Sequence, residues 1–103
     1  MIKLSDLLFG VSIKSVIGDI TSVMVNKVEF DSRKVSDSDL FIAINGGTVD
    51  GHSFIDLSID KGGKSIIVEE VPKKINQEVC YVQVDCSSSA MSIVSSNYYK
   101  NPS

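Results

Sequence analysis

Arginine, histidine and tryptophan are nearly missing from this chain. Its 103 residues include one arginine (Arg33), one histidine (His52) and no tryptophan. A single histidine excludes a multi-histidine metal centre built from this chain alone. A single arginine, with a formal net charge of -3, leaves no basic stripe of the kind nucleic-acid binding needs. The lysines are scattered apart from the pairs Lys61/Lys64 and Lys73/Lys74, and they read as solvated surface. Cysteine is scarce too. Cys80 and Cys86 have no other ligand type nearby and do not form a zinc pair. Cys80 lies in an apolar, strand-like run and reads as a small core residue, while Cys86 reads as a strand-to-helix junction. Both suit a reducing cytoplasm. Long apolar runs are also lacking. Phe41-Ile42-Ala43-Ile44 and Ile66-Ile67-Val68 are strand-sized, far below the roughly 20 residues needed to span a bilayer. Met1-Ile2-Lys3-Leu4 runs straight into Ser5-Asp6, too polar for a signal-peptide core. Neither nucleic acid nor a membrane is expected as a partner.

What is present describes a folded domain. Apolar residues make up 43% and charged residues 22% of the chain, which is the balance of a globular protein. A chain of this size buries roughly two-thirds of its unfolded surface, enough for one core without disulfides or metals. Residues 1–103 are therefore expected to form a single domain, too small for a catalytic unit plus a nucleotide-binding unit. Residues 3–9 read as a short helix with Leu4, Leu7 and Leu8 on one face and Gly10 as its stop. Gly18-Asp19 marks a turn between two extended pieces. Residues 22–25 and 27–30 lean to strand and end at Asp31-Ser32. Residues 39–44, 64–69 and 79–84 read as buried strands. A helix is expected near 53–61, its inner side formed by Phe54, Leu57 and Ser58, and Gly62-Gly63 ends it. Residues 70–77 read as a surface loop. A final helix near 87–99, capped by Asp85 or Ser87, carries a stripe of Ala90, Ile93, Val94 and Asn97, and Pro102 ends it. Strands alternating with helices predict an α/β three-layer sandwich: a mixed, largely parallel sheet of four to five strands flanked by helices.

Three short constellations carry possible chemistry. In Phe30-Asp31-Ser32-Arg33 the only arginine sits beside an Asp-Ser turn at a strand end. Ser32 can donate a hydrogen bond to a small molecule, and Phe30 can supply a backbone group or an apolar wall. The simpler alternative is a turn pinned by Asp31 and Arg33. In Asn45-Gly46-Gly47-Thr48-Val49, adjacent glycines allow successive N–H groups to converge on an anion, although a plain loop explains them as well. No Walker pattern and no Gly-x-Gly-x-x-Gly accompanies them. In Asp50-Gly51-His52-Ser53-Phe54, acid–base work would need a nucleophile that is absent. A helix start, with His52 or Ser53 satisfying N-terminal N–H groups, accounts for the residues.

Taken in order, these motifs resemble the N-terminal domain of the Mur ligases. The likeness runs through Phe30-Asp31-Ser32-Arg33-Lys34-Val35, Asp39-Leu40-Phe41-Ile42-Ala43-Ile44-x-Gly46 and Asp50-Gly51-His52-Ser53-Phe54-Ile55. It continues in Gly62-Gly63-Lys64-Ser65-Ile66-Ile67-Val68-Glu69 and ends in Asn97-Tyr98-Tyr99-Lys100-Asn101-Pro102-Ser103. The first three motifs are similar to those of the two late ligases, and the Tyr-x-x-Pro-Ser ending is similar to the one that adds the third residue of the peptidoglycan stem peptide.

The resemblance implies that this domain holds the UDP part of a UDP-N-acetylmuramoyl-peptide, with Phe30, Ser32, Gly47, Thr48 and Val49 as substrate contacts. Asp31 and Arg33 then become scaffold. No catalytic residue, metal or cofactor is expected in these residues. ATP and Mg²⁺ would belong to a central ATPase domain, followed by a C-terminal domain, both expected beyond Ser103. Two departures from the family pattern stand out. Gly47 replaces a larger polar residue, which leaves only backbone contact there. Gly63 replaces an alanine, which implies a cost in helix or packing stability. Two other readings stay open: the ligase that adds the terminal dipeptide, and a standalone α/β interaction domain without a ligand.

Overall fold

The computed structural model describes residues 2–46, 49–50, 54–73 and 75–100. In chain order the elements are β1 (Ile2–Lys3), α1 (Leu4–Leu7), β2 (Ile13–Ile17), β3 (Met24–Val25) and β4 (Val28–Glu29). A 3-10 turn (Ser32–Lys34) follows, then β5 (Leu40–Ile42), β6 (Asn45–Gly46), β7 (Val49–Asp50), α2 (Ile55–Asp60), β8 (Ser65–Val68), β9 (Cys80–Val84) and α3 (Ser87–Lys100). Five strands form the main sheet in the order β2-β9-β8-β5-β4. Every pair in it is parallel except β2 with β9. Two small antiparallel pairs, β1 with β3 and β6 with β7, stand outside it.

The alternation of side chains along each strand builds the layers. Leu40, Ile42, Ile67, Cys80, Val82 and Val84 point to one face, where α1 supplies Leu4 and Leu7 and α3 supplies Ala90 and Val94. Phe41, Ala43, Ile66, Val68 and Tyr81 point to the other, where α2 supplies Ile55. Both faces are covered, which is why the central strands read as unbroken apolar runs. The expected three-layer α/β sandwich is the observed one.

Several local expectations need correction. The inner side of α2 is Ile55 and Ser58, while Phe54 and Leu57 are exposed by 37% and 36%. The Ser58 hydroxyl is buried without cost because it donates to the Ile55 carbonyl at 2.7 Å. The buried stripe of α3 is Ser87, Ala90 and Val94, with Ile93 only half-buried. Asn97 reaches across instead, donating to the carbonyls of Leu7 and Phe9, both at 2.8 Å, and so ties α3 to the end of α1. The start of α3 is served by groups other than the expected caps. The Glu69 carboxylate accepts the Ser87 N–H at 2.8 Å. The Cys86 thiol, just before the helix, is held below its ordinary pKa by hydrogen bonds from the Ser89 backbone and hydroxyl. The proposed caps of α2, His52 and Ser53, lie outside the described residues.

Gly62 and Gly63 end α2 for two different reasons. Gly62 has φ +107°, a left-handed conformation, and an added Cβ would lie 2.8 Å from the Asp37 Cα. Its carbonyl accepts the Ser38 N–H at 2.9 Å, joining the helix end to the turn before β5. At Gly63 an added Cβ would lie 2.9 Å from the Ser58 carbonyl oxygen. The expected stability cost of glycine at position 63 is therefore reversed: this backbone has no room for the alanine. Gly62→Ala should destabilise the chain by at least about 2 kcal/mol in urea denaturation. Gly63→Ala should also lower the midpoint, and a raised midpoint would contradict the packing described here.

Candidate functional site

β4 and β5 run side by side in parallel, so their carboxyl ends open on the same side of the sheet. In open α/β sheets that end is where ligands are received. Here it holds a cavity of about 550 Å³. Phe30, Asp31, Ser32 and Arg33 from the turn after β4 form one wall. Phe41, Ile44 and Phe54 form the rest. Phe30 is 45% exposed, unusual for so large an apolar side chain, and Phe54 is also partly open. Ser32, in contrast, is buried. The cavity thus combines two accessible aromatic rings with the backbone and side chains of one polar turn.

That turn is held by its own residues. Asp31 precedes the 3-10 turn in extended geometry and accepts the Arg33 N–H at 3.0 Å. The same carboxylate grips the Arg33 guanidinium through Nε at 3.2 Å and Nη2 at 3.1 Å. This two-pronged bond holds the Asp31 carboxyl below the usual carboxylate range, with the Arg33 backbone N–H adding to it, and raises the guanidinium pKa. The Arg33 side chain remains 80% exposed. Asp31 and Arg33 pin the turn, as the simpler reading supposed, and the turn also walls a cavity, so the two readings are compatible.

Behind the turn lies a network that the pattern of residue types did not reveal. Asp39, just before β5, is fully buried. Its Oδ2 accepts from Lys27 Nζ at 2.8 Å, from the Ser36 N–H at 2.8 Å and from the Ser36 hydroxyl at 3.0 Å. Lys27 Nζ also bonds Glu29 Oε2 at 3.3 Å and the Lys34 carbonyl at 3.1 Å. The hydrogen bond to Asp39, the largest influence, and the neighbouring Glu29 raise the Lys27 pKa. One amine therefore links β4, the turn and the start of β5. The only sequence signal was the spacing Lys27-x-Glu29, which puts both side chains on one side of an extended chain. Of the remaining expected contacts, only Val49 is among the described residues. Val49 pairs with Gly46 through β7 and β6, while Gly47 and Thr48 lie outside the described residues, as does His52.

Among the described residues no group of three or more His, Cys, Asp or Glu side chains is placed to hold a metal ion. No described helix is long and apolar enough to cross a membrane. A model of the Mur ligase family, catalytic domain, matches residues 24–100. This chain belongs to the Mur ligase family. It is 38% identical over 101 residues to UDP-N-acetylmuramoyl-L-alanyl-D-glutamate--2,6-diaminopimelate ligase 1 of Clostridium acetobutylicum, a match covering 98% of this chain and 20% of that protein. It is 41% identical over 102 residues to the corresponding ligase of Cytophaga hutchinsonii, covering 98% of this chain and 21% of the relative. The fold is similar to that of MurF from Acinetobacter baumannii, with a TM-score of 0.79 at 19% identity over 96% of this chain and 21% of that one. The chain thus spans about a fifth of the length of the Mur ligases it matches.

The charged groups at and behind the turn make testable stability predictions. Lys27→Met leaves the Asp39 carboxylate buried without its cation and should cost about 2 kcal/mol, below the value for a fully buried pair because Lys27 is partly exposed. The Lys27 pKa is raised on folding, so its contribution is complete below the unfolded value of about 10.4 and is lost as pH rises through the folded value. Wild-type stability should therefore fall more steeply above that pH than Lys27→Met stability, as read by urea titration. The Asp31 pKa is lowered, so its contribution is present above about pH 4 and is lost as pH falls through the folded value. Asp31→Asn should flatten the acid limb of the same curve.

Proposed function

We propose that residues 1–103 form one substrate-anchoring domain of a UDP-N-acetylmuramoyl-tripeptide synthetase. This domain holds the UDP moiety of UDP-N-acetylmuramoyl-dipeptide while an ATP-dependent ligase adds the third amino acid of the peptidoglycan stem peptide. The observation that carries the reading is the cavity at the carboxyl ends of β4 and β5, walled by Phe30 and Ser32 in a chain of this family. Its chemistry suits uracil. The base is flat and apolar on its faces, which favours Phe30 and Phe54. Its edge offers an imide N–H and two carbonyls, which a serine hydroxyl and turn backbone can read. The diphosphate is assigned to Gly47, Thr48 and Val49, because backbone N–H groups of a glycine turn and the Thr48 hydroxyl suit an anion.

The sequence contains no Walker loop for ATP and Mg²⁺. In this reading they belong to a central ATPase domain that partners this one in the same polypeptide, and no step of the ligase reaction is assigned to the present residues. A cytoplasmic location is part of the reading, and the two free cysteines accord with it.

Isothermal titration with UDP tests the assignment. The wild-type chain should bind weakly, on the order of 1 mM, because contacts from other domains are missing. Ser32→Ala and Thr48→Pro should each weaken binding by about fivefold or more. Binding unchanged by both substitutions would put the site elsewhere. The chain should release no ADP from ATP under any substrate combination, and turnover above background would overturn the domain assignment.

A further inference from the structure

The turn that walls the cavity contains an internal anion. Glu29 Oε1 accepts the Phe30 N–H at 3.1 Å and the Asp31 N–H at 3.2 Å. Two successive backbone N–H groups converging on one oxygen form the nest that proteins commonly offer to a phosphate or another anion. Here the carboxylate of the preceding residue fills it. Glu29 is held in that position from its other side, where Oε2 meets Lys27 Nζ at 3.3 Å. Its side chain is 18% exposed, so the plug is mostly withdrawn from solvent. Further along the turn, the Arg33 N–H is taken by Asp31 Oδ1 and the Lys34 N–H by the Asp31 carbonyl at 2.9 Å. Four of the five backbone donors from Phe30 to Lys34 are thus used within the chain.

The surroundings would otherwise attract an anion. Lys27 and Arg33 both carry positive charge near the turn, and Arg33 is largely exposed. A diphosphate ligand arriving at this cavity therefore has two possible orientations, phosphates toward the turn or base toward the turn. We propose that Glu29 is a specificity-determining residue that selects the second: its carboxylate occupies the Phe30–Asp31 nest, bars phosphate from the turn and leaves the cavity to the uncharged end of the nucleotide. The inference rests on the nucleotide-binding reading above, which already sets the base toward the turn, and adds to it the residue that keeps phosphate away. Repulsion acts in the same direction as occupancy, since a phosphate brought to the nest would meet the Glu29 and Asp31 carboxylates.

The test is residue-resolved NMR of backbone amides, with uridine and inorganic phosphate as separate probes. In the wild-type chain, uridine should shift amides in the Phe30–Arg33 turn, and phosphate should leave those of Phe30 and Asp31 unmoved. In Glu29→Ala, phosphate should shift both amides saturably, at concentrations that leave the wild-type amides unmoved. Glu29→Gln keeps the side-chain volume and removes the charge. It should gain phosphate binding in the same direction, and it decides the matter if the alanine variant does not fold. Phosphate shifting the Phe30 and Asp31 amides of the wild type as readily as those of the variants would overturn the proposal. So would a folded variant whose amides stay indifferent to phosphate. The two readings fail separately. Uridine without effect on the wild type refutes nucleotide binding at this cavity, while the phosphate arms still report on what Glu29 excludes.

Discussion

A fully buried carboxylate is costly unless its charge is met and its oxygens are hydrogen-bonded. Asp39 meets both conditions, and much of the local architecture follows from how it does so. Lys27 must lie against it, which fixes the end of the chain entering β4 beside the chain entering β5. Ser36 must fold back to donate twice, which makes the tight turn before the strand. Ser38 then takes φ 67°, a left-handed conformation uncommon for serine. The Ser38 N–H bonds the Gly62 carbonyl, and Gly62 itself must be glycine because Asp37 is so near. One buried charge therefore brings β4, β5 and the end of α2 into a common arrangement.

The same arrangement sets up the cavity. Parallel pairing of β4 and β5 puts the turn after β4 at the edge of the sheet's carboxyl end. Lys27 reaches back to the Lys34 carbonyl and to Glu29, and Glu29 in turn holds the first two amides of the turn. The phenyl ring of Phe30 is left partly open, opposite a wall made by Phe41, Ile44 and Phe54. Rigid support behind a small polar turn is what a domain needs if its task is to hold one end of a large substrate. Preorganised contacts spend less of the binding free energy on ordering the protein.

The layers were legible because burial on both faces makes a strand continuously apolar. Leu40–Ile42 and Ser65–Val68 show this, bounded by turn residues and glycines. The helix stop at Gly62 was legible because its neighbours carry no competing signal. The inner face of α2 was misread because Phe54 is large and apolar, so pattern alone assigns it to the core. In the fold it opens into the cavity instead. β3 lies within the stretch 22–25 that leans to strand, but its partner β1 had no signal, since a two-residue strand has no periodicity to detect. Ser32 and Phe30 drew notice from composition alone. Lys27, Glu29 and Asp39 did not, because a lysine that bridges residues two and twelve positions away is indistinguishable in sequence from a solvated one.

By itself, the sequence determined the class of fold and the family motifs. It could do so because hydrophobic periodicity and turn chemistry are local properties of the chain. The tertiary structure alone decided which polar residues work together. Whether Lys27 is surface or keystone depends on where Asp39 comes to rest, and whether Glu29 is solvated or fills a nest depends on the turn after it. Electrostatic and hydrogen-bond partnerships are matters of distance in space. Only the packing of β4 against β5 brings Lys27 within bonding range of Asp39.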